Sequence, residues 1–91
     1  MMNIFEHKRQ GGKVIGVSFN YKNDIFSEVR IYGDFFVFPE EGIDNLEKSI
    51  NQKSLSELLQ LIEDFFSSDI IYYGINKEDL QEVFKRAINE K

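Results

Sequence analysis

The sequence predicts an α+β fold in which a three-stranded antiparallel sheet packs against about three helices. Three observations carry that prediction. Apolar residues alternate with period two as far as Tyr32, the spacing of half-buried strands. From Pro39 onward they recur every three or four residues, the spacing of helices that cover a sheet. Between the two regimes lies Tyr32-Gly33-Asp34-Phe35-Phe36-Val37-Phe38-Pro39-Glu40, far more aromatic than the polar, solvated side chains usual in a connector. Either its aromatics turn inward as core, or part of the stretch is a surface kept for a partner.

Residues 3–9 alternate weakly and fit a short edge strand. Gly11 and Gly12, between Gln10 and Lys13, can take the positive φ angles of a tight hairpin turn. Over residues 13–21, Ile15, Val17, Phe19 and Tyr21 share one face, while Gly16, Ser18 and Asn20 lie on the other. Lys22-Asn23-Asp24 supplies turn chemistry, and Val29 and Ile31 mark a third strand. The apolar face of this meander requires a cover, since exposing it would forgo about 1.5–3 kcal/mol per large side chain. Pro39 suits the first turn of a helix, with Glu40 and Glu41 at its positive end, and Ile43, Leu46 and Ile50 continue it toward residues 51–53. Ser54-Leu55-Ser56-Glu57 is a capping box opening a second helix, whose stripe of Leu55, Leu58, Leu59, Ile62, Phe65 and Phe66 is wide enough for the main core helix. Residues 70–75 form a short apolar connector that turns at Gly74. Asn76 then caps a last helix with Leu80, Val83, Phe84, Ala87 and Ile88 on one face.

Ninety-one residues fit one domain, 1–91, with a single core. Domains below about 80 residues usually need disulfides or metals; this chain has no cysteine and one histidine, so packing must hold it together. Without cysteine, thiol nucleophiles, redox pairs and Cys-ligated metal centres are excluded. No apolar run approaches the roughly 18–20 residues of a membrane span, and residues 1–10 lack a signal-peptide core, so a cytoplasmic protein is expected. The start at Met1-Met2 favours a natural short protein. A net charge of −5 argues against nucleic acid. The charge is uneven: Lys8, Arg9 and Lys13 against Glu6 leave the first 13 residues at +2 and the remainder at −7.

The sequence holds no HExxH, GxSxG, GxGxxG or phosphate-loop motif. His7 lacks a visible carboxylate and nucleophile to work with and reads as a bystander. The pairs Glu40/Glu41 and Glu78/Asp79 sit at helix starts, where the dipole explains them, and Glu63/Asp64 fits a solvated face. No metal site and no complete active site emerge. Two features stay open. Gly11-Gly12-Lys13 is either a plain hairpin turn or a set of N–H groups and cations that meets a phosphate or an acidic surface. Asp34 either caps a turn or bonds across an interface. Strand geometry sends Phe35 and Phe36 to opposite faces, so at least one is a candidate interface anchor.

Gly11-Gly12-Lys13, the run Val29-Arg30-Ile31-Tyr32-Gly33-Asp34-Phe35-Phe36, Pro39-Glu40 with Ile43 and Leu46, and Tyr73-Gly74-Ile75-Asn76-Lys77-Glu78-Asp79-Leu80 occur in an order that resembles the C-terminal accessory domain of lipoate-protein ligases. The likeness spans residues 8–88. Where the family commonly has a proline before the glycine pair, this chain has Gln10. The resemblance implies a fold similar to iron-sulfur scaffold proteins, whose cysteines are missing here. It also implies a noncatalytic small subunit, of the archaeal stand-alone type, that pairs with a catalytic large subunit. That pair would use ATP, Mg and lipoate to form lipoyl-AMP, then lipoylate 2-oxoacid dehydrogenase lipoyl domains and the glycine-cleavage H protein. In that arrangement Lys13, Gly11 and Gly12 lie near a composite site, with Gly33, Asp34, Phe35 and Phe36 at the interface. The alternative is an adaptor module with no role in adenylation, built on the same aromatic stretch.

Overall fold

The computed structural model describes residues 2–8 and 14–89. Strands β1 (Met2–Lys8), β2 (Val14–Lys22) and β3 (Ile25–Gly33) form the antiparallel meander in the order β1-β2-β3. The turn expected at residues 10–13, and with it Gly11, Gly12 and Lys13, lies outside the described residues. Between β2 and β3, Asn23 and Asp24 both take positive φ (52° and 64°), the two-residue turn whose twist matches that of paired strands.

A bulge in β3 resets which side chains face the core. Ser18 pairs with Arg30, but Asn20 pairs with Ser27, so β3 carries one extra residue there, and Glu28 takes φ 51°. Strict alternation from Ile31 and Val29 would turn Phe26 outward. The bulge brings it in, fully buried, with its ring centroid 4.9 Å from that of Phe19 and 5.7 Å from that of Phe84. The outer edge of β3 is then closed by the loop after the first helix: the Phe26 N–H donates to the Lys53 carbonyl, the Gln52 N–H to the Phe26 carbonyl and the Glu28 N–H to Asn51 Oδ1.

Helices α1 (Gly42–Ile50), α2 (Leu55–Phe66) and α3 (Lys77–Asn89) cover one face of the sheet. The expectation that α2 is the main core helix needs correction. Against the sheet lie α1, on β3, and α3, on β1 and β2, while α2 packs across these two helices. Its stripe is accordingly split: Leu58 and Ile62 are buried, whereas Leu55, Leu59, Phe65 and Phe66 are half-buried. The helix start at Pro39 is also displaced. Residues 39–41 form a turn after a cis Phe38–Pro39 bond, the Gly42 N–H donates to the Pro39 carbonyl, and α1 begins at Gly42 with Glu41 as an N-cap that makes no side-chain bond. By contrast, the Ser54–Glu57 capping box forms in both directions, and Asn76 Oδ1 accepts from the Asp79 N–H at 2.8 Å.

Glu47 is the one buried charged side chain among the described residues. One carboxylate oxygen accepts the Ile31 N–H at 2.6 Å, occupying a donor that an edge strand would otherwise leave unpaired, and the other lies 3.5 Å from the Arg30 guanidinium. A third correction concerns residues 70–75. They are not a plain connector: Ile71–Tyr73 is a strand, β5, paired antiparallel with β4 (Phe36–Phe38), so the aromatic stretch after β3 forms half of a separate two-stranded ribbon.

Candidate docking surface

The ribbon is positioned by two glycines. Gly33 ends β3 at φ 151°, and a Cβ there would sit 2.2 Å from the Val14 carbonyl oxygen, a contact no other residue accommodates. The next N–H, of Asp34, donates to that same oxygen at 3.0 Å, fixing the exit of the chain beside the start of β2. Gly74 (φ 82°) closes the far strand, where a Cβ would meet the Asp34 carbonyl at 2.8 Å. The backbones of β4 and β5 therefore cross closely at this corner.

Pairing and period two then assign the ribbon's faces. Phe36 pairs with Tyr73, Val37 with Tyr72 and Phe38 with Ile71. Val37 and Tyr72 share the inner face: Val37 is buried, and the Tyr72 ring stands edge-on to Phe66 at 4.9 Å. Phe36, Phe38, Ile71 and Tyr73 share the outer face and are 53%, 53%, 65% and 74% exposed. Single exposed apolar residues are ordinary, but four neighbouring large ones on one face of a ribbon form a patch of the kind that marks interaction sites.

The predicted residues Gly33, Asp34, Phe35 and Phe36 are thus consecutive in space as in sequence, with Asp34 bonded to the residue that follows Lys13 in the chain. Phe35 turns toward the core and Phe36 away from it. Sequence reasoning missed Phe38, Ile71 and Tyr73 as members of the same face. The available signal was the run of strand-forming residues Ile71-Tyr72-Tyr73 before a glycine, too short to stand out. Among the described residues, β4 and β5 contribute no charged side chain to the outer face. Exposed carboxylates border the two strands instead: Asp34 before β4, Glu40 and Glu41 after it, and Asp69 before β5.

Elsewhere the described residues offer little chemistry. No cluster of three or more His, Asp or Glu is arranged to hold a metal ion, and no helix is long and apolar enough to cross a membrane. An open groove of about 350 Å³ between β3 and α1 is lined by Glu28, Val29, Arg30, Glu47, Lys48 and Asn51, with charges of both signs. Shifted titrations fall on structural bonds. The hydrogen bond to Glu63 raises the Lys77 ammonium pKa, bonds from Ser54 lower that of Glu57, and burial, followed by Asp24, raises that of Tyr21.

The described residues form a small domain held by packing, with an exposed apolar face on its ribbon, and sequence comparison gives its family. Residues 2–84 match the family described as bacterial lipoate protein ligase C-terminus, and the chain belongs to that family. It is similar to lipoate-protein ligase A subunit 2 of Thermoplasma acidophilum, with 32% identity over 66 residues, 72% of this chain and 70% of that protein. It also resembles a chain in the solved structure of an archaeal lipoylation system from the same organism, a bi-partite lipoate protein ligase with its E2 lipoyl domain. The TM-score is 0.77 at 28% identity, covering 97% of this chain and 94% of that one.

Proposed function

We propose that this chain is the noncatalytic small subunit of a two-chain lipoate-protein ligase. With a large catalytic chain it takes part in the ATP-dependent activation of lipoate to lipoyl-AMP, which precedes transfer to a carrier lysine. The observation that carries this reading is the nearly end-to-end likeness to one chain of a bi-partite ligase, 97% of one and 94% of the other. In this reading ATP, Mg and lipoate are bound by the catalytic chain. The carriers in this reading are lipoyl domains of 2-oxoacid dehydrogenases and the glycine-cleavage H protein; the related structure includes an E2 lipoyl domain.

What this chain contributes is position. The corner where the Asp34 N–H bonds to the Val14 carbonyl is held by backbone contacts that only glycine permits at residue 33, so it can present Asp34 to the partner's activation site in a fixed geometry; Lys13, which precedes Val14 in the chain and lies outside the described residues, is assigned to the same site in this reading. Asp34→Ala and Lys13→Ala should lower lipoyl-AMP formation by the pair about tenfold or more. Transfer from preformed lipoyl-AMP should stay within about twofold, because the lost contact acts before that step. Equal losses in both half-reactions would contradict an activation role.

A further inference from the structure

The outer ribbon face is the largest exposed aromatic feature among the described residues, and its surroundings restrict what can cover it. At its centre Phe36, Phe38, Ile71 and Tyr73 form two cross-strand pairs. In the chain, Asp34 precedes β4, Glu40 and Glu41 follow it and Asp69 precedes β5, all exposed, so the strand ends carry negative charge. Two copies meeting face to face would bring these carboxylates together, and like charges across an interface oppose association. An anionic lipid surface is disfavoured for the same reason. The complementary occupant is a protein surface with an apolar concavity bordered by lysine and arginine.

We propose that the face formed by Phe36, Phe38, Ile71 and Tyr73 is the surface that the catalytic ligase chain covers, with basic side chains of that chain meeting Asp34, Glu40, Glu41 and Asp69. This assignment rests on the subunit reading above and adds to it three anchor residues and the chemistry of the partner's surface. Inner-face contacts of Val37 and Tyr72 hold the ribbon against the domain, so the outer face is presented without a partner's help.

The test is calorimetric titration of the full-length chain into the cognate catalytic chain, for wild type, Phe38→Glu, Ile71→Glu and the control Lys85→Glu on the exposed face of α3. Circular dichroism melts establish that each variant folds. The expected result is that Phe38→Glu and Ile71→Glu weaken binding about a hundredfold with melting temperatures near wild type, that Lys85→Glu binds normally, and that wild-type affinity falls with salt. Hydroxyl-radical footprinting of the wild-type complex gives a readout that needs no variant: Phe36, Phe38 and Tyr73 become protected. If the wild-type chains bind and both ribbon variants bind within about threefold of wild type, or the footprint is unchanged, the docking face is wrong and the subunit reading stands. If the wild-type chains do not bind at all, the subunit reading itself fails. Loss of self-association, or of binding to an isolated lipoyl domain, in place of loss of catalytic-chain binding overturns the proposal in favour of those occupants.

Discussion

At Glu47 a single carboxylate holds an edge strand to a helix. Removing it in Glu47→Ala leaves the buried Ile31 N–H without an acceptor, which costs about 1–3 kcal/mol. The Arg30 contact adds little, because that side chain is 75% exposed and the distance is 3.5 Å. Glu47→Gln keeps an amide oxygen for the Ile31 N–H and should lose about 1 kcal/mol or less. Urea denaturation of both variants checks the order, and equal losses would show that the ion pair rather than the N–H bond matters. Gly33→Ala is the second residue-scale prediction. Its Cβ would clash with the Val14 carbonyl at a φ of 151°, so a loss of at least about 1–3 kcal/mol is expected from the same measurement. Neither the carboxylate's role nor the clash was legible in the sequence. Glu47 sits among polar neighbours in a helix and looks like a solvated residue until the strand beside it is known.

The elements divide by how local their causes are. The capping box of α2 and the Asn76 cap of α3 were readable because cap and capped N–H lie three residues apart. Ser54→Ala should therefore destabilise the fold by about 1 kcal/mol at neutral pH. The Glu57 pKa is lowered first by its bond from the Ser54 backbone N–H, which alanine keeps, and second by the bond from the Ser54 hydroxyl, which alanine removes; the hydroxyl's share is present above the ordinary value of 4.5 and is lost as pH falls through the lowered one. Wild type should lose more stability than Ser54→Ala on acidification through that window, in melts recorded at stepped pH. At the basic end the sign reverses. The raised Lys77 pKa gives a contribution complete below its ordinary value of 10.5 and lost as pH rises through the raised one. Elements set by distant partners were not readable. Phe26 reaches the core only because a bulge shifts β3 by one residue, and β5 is a strand only because β4, some 35 residues earlier, pairs with it. The role of α2 was misread for a related reason: a wide apolar stripe does not reveal whether a sheet or two other helices lie against it.

Across the whole molecule, three aromatic rings hold the layers together: Phe19 from β2, Phe26 from β3 and Phe84 from α3, with centroids 4.9–6.2 Å apart. Phe84→Ala should cost about 3–5 kcal/mol, much of the total stability typical of a domain this size, and a partly unfolded population should appear on mild heating. The architecture of sheet and helices was legible because its periodicities are local, and the family likeness added a partner that no periodicity contains. The ribbon's apolar face is where the two kinds of reading meet, since an isolated domain gains nothing from keeping four large side chains in water. The subunit account stands or falls on lipoate activation. The most direct measurement is pyrophosphate release from ATP and lipoate by the catalytic chain, with and without this protein at saturating concentration. The account predicts that release requires both chains; release at the same rate from the catalytic chain alone would contradict it.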